Sequence, residues 1–476
     1  MTSIQILESA ASAPVVGAGR LFIKNYGCQM NVYDGDRIAD MLAPLGYTPV
    51  DDVAGANVVV LNTCHIREKA DDKLFSDIGR FRRAAAPDAV IAVGGCIGQA
   101  MGAKVMEAAP AVSVVFGPQT YHRLPALIGK VLDGRTAREG GHKNAPVRAV
   151  DTDFPELEKF DSLPRPGMRG PSAFVTIQEG CDKFCTYCVV PYTRGAEISR
   201  PHAQVLEEIR AMAAQGVREV TLLGQNVNAY MDDDGVSMAG LCELVGEVDG
   251  IERIRFTTSH PNNTTDDLIN AFATNSKLMP YFHLPVQAGS NRILTAMNRN
   301  HTAESYLATL EKIKAVTPDM AICGDFIVGF PGETEDDFLE TLKIAHAVGY
   351  MGAYSFAYSP RPGTPAADLP DQVDERTKKA RLAALQAVLD ATHGDFLSRF
   401  VGDEVEILVE QVRPYAPQGE DSGILQLHGR SRHNISVNLD VPEGMPAEAV
   451  QALVGTLVHG RVEVMTGRSL RGVLSN

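Results

Sequence analysis

The stretch QEGCDKFCTYCVVPYTRG, Gln178 to Gly195, sets Cys181, Cys185 and Cys188 in a CxxxCxxC spacing. Three thiolates this close can hold three irons of a 4Fe-4S cluster and leave the fourth iron without a protein ligand, whereas most such clusters take four cysteines. Such an iron either binds something else or finds its fourth cysteine elsewhere in the chain. Zinc sites usually run CxxC and close with two further ligands, which the triplet lacks. Buried apolar thiols fit poorly beside Asp182, Lys183 and Thr186. Disulfides need an oxidising compartment, and nothing here indicates export.

Working outward, the triplet follows an apolar run, Ala173–Ile177, and strand and helix signals then alternate. Candidate strands are Glu219–Leu223, Arg253–Thr257, Tyr281–Leu284, Gly324–Val328 and Ala353–Ala357. Helical stretches such as Pro201–Gln215, Thr265–Thr274, Ala303–Ala315 and Glu335–Ala347 lie between them. Alternation of this kind predicts a parallel sheet with helical crossovers. Six βα units fall two short of a closed eightfold barrel, so an open, partial barrel is expected. Its polar loops follow the carboxyl ends of the strands, where barrel enzymes do their chemistry. Those loops hold the triplet, Gly224-Gln225-Asn226, His283 to Ser290 and Gly329 to Glu333.

Upstream, three more cysteines share one position. Leu21–Lys24, Val58–Leu61 and Val90–Val93 read as short buried strands, and they lead into Cys28, Cys64 and Cys96. Each is followed by a helix-compatible stretch, Asp34–Leu45, Arg67–Ala86 and Gln99–Ala109. The three thiols should therefore meet at the carboxyl edge of one open parallel sheet, where ligands of such folds bind. A single buried cysteine would be uninformative; three at strand ends suggest a second cluster. Gly27, Gly94 and Gly95 would let the backbone approach it closely. Cys242 and Cys323 lie in apolar surroundings and read as small core residues.

The 476 residues suffice for about three domains. A composition that is 45% hydrophobic and 22% charged is that of a globular protein. No apolar run is long enough to span a bilayer. Residues 1–18 lack the basic start and apolar core of a signal peptide, so a frayed tail and a cytoplasmic protein are expected. A net charge of −15 excludes broad electrostatic nucleic-acid binding but not a local basic patch. Residues 134–166, rich in Gly, Pro and charge, read as a linker between an N-terminal domain at 19–133 and a central one at 167–397. The remainder, 399–475, alternates in short segments (Glu404–Val409, Ile424–Gln426, Ile435–Leu439, Arg461–Val464) and predicts a small β-barrel. Residues 400–476 hold ten acids against six arginines, with the basic residues gathered at Arg430-Ser431-Arg432-His433 and at Arg468 and Arg471. These two clusters are candidate phosphate contacts, with a solvated surface an equally good reading.

With Tyr187 before its last cysteine, CxxxCxxC resembles the radical S-adenosylmethionine superfamily. Adding Cys28, Cys64 and Cys96 makes the chain similar to the methylthiotransferase branch of that superfamily over about residues 20–475. The strings YGCQMN, CTYCVVPYTRG, LLGQNVNAY, HLPVQAGS and DFIVGFPGET carry the resemblance, with Ala288 where Ser is commoner. CQMN and PYTRG lean towards the members acting on N(6)-(dimethylallyl)adenosine at position 37, next to the anticodon of tRNA. Members acting on threonylcarbamoyl-adenosine, or on a ribosomal-protein aspartate, remain alternatives, as does a non-catalytic iron-sulfur RNA-binding or redox-sensing protein.

The resemblance implies an α/β fold with an N-terminal parallel-sheet domain, a partial (βα)6 radical barrel and a C-terminal TRAM-like RNA-binding module. It implies two 4Fe-4S clusters: one on Cys181, Cys185 and Cys188 with exchangeable S-adenosylmethionine, and an auxiliary one on Cys28, Cys64 and Cys96 for sulfur insertion. One S-adenosylmethionine would methylate sulfur; another would yield a 5′-deoxyadenosyl radical that activates carbon 2 of adenine. Tyr187, Gln225, Asn226 and Gly329 would line the cofactor site, although loop packing explains Gln225, Asn226 and Gly329 about as well. Partners would be the tRNA anticodon stem-loop, an electron donor such as flavodoxin or ferredoxin, and a sulfur source. The target base would have to be splayed out of its loop.

Overall fold

A computed structural model describes residues 19–64, 68–139, 148–155, 158–415 and 425–475. The expected tail at 1–18, Arg67 and Ile424 lie outside the described residues. The chain divides into two compact units, Met1–Pro164 and Arg165–Asn476.

In the first unit β1 (Gly19–Asn25), β2 (Tyr47–Pro49), β3 (Val58–Thr63), β4 (Val90–Gly94), β5 (Val114–Phe116) and β6 (Ala149–Asp151) form one parallel sheet in the order β2-β1-β3-β4-β5-β6. The run VVVLNT of β3 is buried along its whole length, as a strand covered on both faces must be. Its alternate side chains feed two cores. Val58 and Val60 join Ile38, Met41 and Leu124 on one face, while Val59 and Leu61 join Leu74, Ile78 and Phe81 on the other. The helix after β1, Gln29–Leu42, and the helix after β3, Glu68–Ala84, therefore cover opposite faces. The order thus switches direction between β1 and β3, which opens a crevice at their carboxyl ends. β2, β5 and β6 carry only three residues each, too short for a periodic signal. β6 falls in the stretch expected to be a linker, where it pairs with β5 and completes the sheet.

In the second unit the six expected parallel strands are β7 (Ser172–Thr176), β10 (Glu219–Leu223), β11 (Arg253–Thr257), β12 (Tyr281–His283), β13 (Ala321–Val328) and β14 (Gly352–Ala357). They run β7-β10-β11 and β12-β13-β14, joined by a parallel bridge between Ile254 and Leu278. A short antiparallel pair, β8 (Gln178–Glu179) and β9 (Ile198–Ser199), brackets the cysteine loop. β15 (Glu404–Pro414), β16 (Leu425–Ser431), β17 (Ser436–Asp440), β18 (Leu457–Thr466) and β19 (Ser469–Leu474) then close a barrel in the order β15-β16-β17-β19-β18. Among the described residues no helix is long and apolar enough to cross a membrane.

The closed barrel is anchored at the amino ends of the central strands. Its core of Val405, Ile407, Leu427 and Val437 is continuous with Ala321, the first residue of β13, and with Phe396 and Leu397 of the helix Glu375–Ser398. Arg253 and Arg255 of β11 are 1% and 2% exposed. Arg253 donates to Arg430 O (2.7 Å) and Glu406 Oε1 (2.7 Å). Arg255 donates to Arg432 O (2.7 Å), Ser431 O (2.8 Å) and Glu219 Oε2 (3.0 Å). Arg430, Ser431 and Arg432 therefore lend their carbonyls to docking, a use of this stretch that its reading as a phosphate patch did not include. The His433 ring lies 5.0 Å from Phe400 and its Nε2 is 2.9 Å from Asp319. Arg471 pairs with Asp440 at 2.6 Å and stacks 3.9 Å over Tyr415. Only Arg432 and Arg468 of the two clusters are exposed, and Arg468 already meets Asp390 at 2.7 Å.

Candidate functional site

In the first unit the three cysteines follow the ends of β1, β3 and β4 as expected. Cys28 immediately precedes the 14-residue helix Gln29–Leu42, and Cys96 sits in the first turn of Gly95–Met101. Cys64 and Cys96 are buried. Their loops are stitched together through side chains of β3. Asn62 Nδ2 donates to Asn31 O (2.7 Å), Asn31 Nδ2 to Tyr26 O (2.7 Å) and Thr63 Oγ1 to Gly94 O (2.6 Å). The glycines fit these loops against one another. Gly27 has φ +100°, and a Cβ there would lie 2.3 Å from Cys64 Cβ. Gly95, at φ +80°, would bring a Cβ within 2.3 Å of Thr63 O. They make room for Cys64 and for β3, while Gly94 faces the Phe116 ring.

In the second unit the triplet loop leaves β8 through Gly180, whose φ is +74°. Gln178 organises the entrance: its Oε1 accepts from Gln225 N (2.9 Å) and Asn226 N (3.1 Å), and its Nε2 donates to Gly180 O (2.9 Å). Gln225 Oε1 in turn accepts from Gly180 N at 2.6 Å. The far side of the loop is gripped by a distant segment, Ala296–Arg299. Thr186 N and Oγ1 donate to Met297 O (3.1 Å) and Ala296 O (2.9 Å). Asn298 Nδ2 donates to Phe184 O at 3.0 Å, and Arg299 Nη1 reaches Cys185 Sγ at 3.6 Å. Burial, together with the neighbouring Cys185, pushes the Cys181 thiol up to about 11 and that of Cys188 up to about 12. Cys181 and Cys188 therefore need a cation to ionise, and a bound metal deprotonates a thiol outright. Three sulfurs on one loop suit an iron-sulfur cluster held by three protein ligands.

The other expected residues take distinct places. Tyr187 packs with Ala288, Met297, Phe330 and Tyr358. Asn226 is 1% exposed; its Nδ2 donates to Glu197 Oε2 at 2.9 Å, while its Oδ1 is buried without a partner. Gly329 N donates to Glu333 Oε1 at 2.8 Å, and a Cβ on Gly329 would strike Lys378 Cγ at 2.3 Å. Near the carboxyl ends of the strands, His260 and His301 each keep a buried Nε2 without a hydrogen-bond partner among the described residues, and His283 Nε2 lies 3.5 Å from Asp325 Oδ2. Burial first, then the Arg299 charge, lowers His301 to about 4 and His260 to about 2, so both are neutral. Open polar atoms of this kind suit a polar ligand, since unpaired buried groups are costly. Glu197, His260, His301 and the Ala296–Arg299 grip are absent from the sequence reading, and Gln178 and His283 enter it only within longer stretches. The one local signal was MNRNH, Met297 to His301, in which Asn298 and Asn300 both adopt positive φ.

The radical SAM superfamily matches residues 175–345, and an uncharacterized protein family, UPF0004, matches residues 20–117. The chain is 53% identical over 425 residues to a tRNA-2-methylthio-N(6)-dimethylallyladenosine synthase of Sphingopyxis alaskensis, covering 88% of this chain and 91% of that protein. It is 51% identical over 470 residues to the protein of that name from Maricaulis maris, covering 96% and 97%. A structure of a radical S-adenosylmethionine methyltransferase from Kitasatospora setae, with tryptophan substrate and a cofactor analogue, shares the fold at a TM-score of 0.54 and 15% identity, over 73% of this chain and 74% of that one.

Proposed function

The chain belongs to the tRNA-2-methylthio-N(6)-dimethylallyladenosine synthase family of radical S-adenosylmethionine enzymes, and from that premise we infer that its six loop cysteines hold two 4Fe-4S clusters with separate tasks. The enzyme methylthiolates carbon 2 of the dimethylallyladenosine of tRNA, and its cofactors include a 4Fe-4S cluster and S-adenosylmethionine. The two-cluster reading rests on one observation: each triplet occupies loops at the carboxyl edge of a parallel sheet.

Cys181, Cys185 and Cys188 hold the cluster whose remaining iron is free for S-adenosylmethionine. Bound there, the pair supplies the carbon radical needed to break an unactivated carbon–hydrogen bond. Gln178 and Gln225 fix the entry of the loop, so the contribution of Gln225 is positional. Asn226 offers its open Oδ1 to the cofactor, the backbone at Gly329 faces the nucleoside, and Tyr187 closes the apolar side. Cys28, Cys64 and Cys96 hold the auxiliary cluster that delivers sulfur. The adenine, at position 37, enters splayed from the anticodon loop. Arg432 and Arg468 remain the candidates for phosphate contact. A flavodoxin- or ferredoxin-like donor supplies electrons, a separate source supplies sulfur, and the compartment is the cytoplasm.

Nucleoside profiling of tRNA from a strain lacking this protein tests the reaction. Methylthio-dimethylallyladenosine should disappear and its unthiolated precursor accumulate; an unchanged profile sinks the assignment. Gly27→Ala tests the auxiliary site more finely. The added methyl group displaces Cys64, so iron should fall from about eight toward about four per chain while S-adenosylmethionine cleavage persists. Full iron content in Gly27→Ala would show that the two loops need not approach so closely.

A further inference from the structure

Among the described residues, Arg299 carries a charge with no carboxylate in ion-pair range. It is 5% exposed, its Nη2 donates to Pro285 O at 2.7 Å, and its Nε is buried without a partner. Besides that carbonyl it reaches Cys185 Sγ at 3.6 Å, a sulfur that turns anionic when it ligates a metal. Taking a guanidinium out of water costs several kcal/mol unless negative charge compensates it, and one carbonyl does not. The loop does not need Arg299 to keep its shape, since Thr186 and Asn298 already bind it to the same segment.

We propose that Arg299 is a positioning residue for the triplet cluster that, through the sulfur of Cys185, raises its reduction potential. The inference rests on the reading that Cys181, Cys185 and Cys188 hold that cluster. One-electron reduction makes the cluster more negative by one unit, and a fixed cation 3.6 Å from a ligand sulfur stabilises that state over the oxidised one. Net charge and hydrogen bonds to the sulfurs are among the terms that set such potentials. Arg299 thus eases electron entry without touching substrate.

The test uses the full chain carrying Cys28→Ala, Cys64→Ala and Cys96→Ala, reconstituted with iron and sulfide, so that only the triplet cluster titrates. Its midpoint potential is read by electron paramagnetic resonance in the parent, in Arg299→Gln, which keeps a donor but loses the charge, and in Arg299→Lys, which keeps the charge. The expected result is iron retained in all three, Arg299→Lys close to the parent, and Arg299→Gln lower by at least about 59 mV, tenfold in the reduced-to-oxidised ratio. An unchanged potential in Arg299→Gln overturns the proposal, as does an equal fall in both variants, which would make guanidinium geometry the cause. If Arg299→Gln cannot retain iron, Arg299→Lys decides. Iron and potential kept with lysine support the charge, and iron lost from a folded lysine variant, or a lowered potential, overturns it. A parent that binds no iron sinks the triplet-cluster reading itself, and the inference with it.

Discussion

Cys28→Ala, Cys64→Ala and Cys96→Ala combined should leave a protein that still cleaves S-adenosylmethionine when reduced but transfers no methylthio group. Iron and sulfide should fall from about eight of each per chain to about four. The reason lies in the separation of the ligand sets. The upstream cysteines lie in the first compact unit and the triplet in the second, on sheets that share no strand. Each set has its own supporting hydrogen bonds: Asn31, Asn62 and Thr63 for the first, and Gln178, Thr186 and Asn298 for the second. Cys185→Ala should give the reciprocal result, with cleavage lost and about half the iron kept. If the upstream triple variant retained all its iron, the two-cluster reading would fail.

The second large effect is structural. Glu219→Ala should destabilise the second unit by about 3–5 kcal/mol, the cost of leaving buried charge unpaired. Glu219 is 3% exposed and lies 3.0 Å from Arg255 and 3.9 Å from Arg253. Both arginines hold the docking loop of the C-terminal barrel; Arg253 also meets Glu406, whereas Glu219 is the carboxylate that pairs with Arg255 among the described residues. The measurement is the urea midpoint of the folded chain, with Glu219→Gln as the isosteric control. The midpoint should drop steeply for alanine and less for glutamine. A midpoint within error of the parent for Glu219→Ala would mean that Glu406, 2.7 Å from Arg253, carries the anchorage alone.

The central strands were legible because apolar runs of five or so residues recur between helical stretches. Ser172–Thr176, Glu219–Leu223 and Arg253–Thr257 fall within a residue of the expected spans. β2, β5 and β6 were not, because three residues leave no periodicity to read. The positions of all six loop cysteines followed from strand ends, since a parallel sheet sends every strand end to the same edge. The residues supporting them were hidden for the opposite reason. Arg299 stands 114 positions after Cys185, and Arg430 stands 177 after Arg253, so no local pattern links either pair.

Spacing and alternation in the sequence were enough to determine the parallel sheets and the strand-end loops that carry the six cysteines. The tertiary structure alone decided that Gly27 exists to admit Cys64, that Arg430–His433 lends its carbonyls to two buried arginines, and that a cation sits against the triplet. Each of these depends on groups far apart in the chain approaching within a few ångströms, and only packing of the completed fold sets such distances.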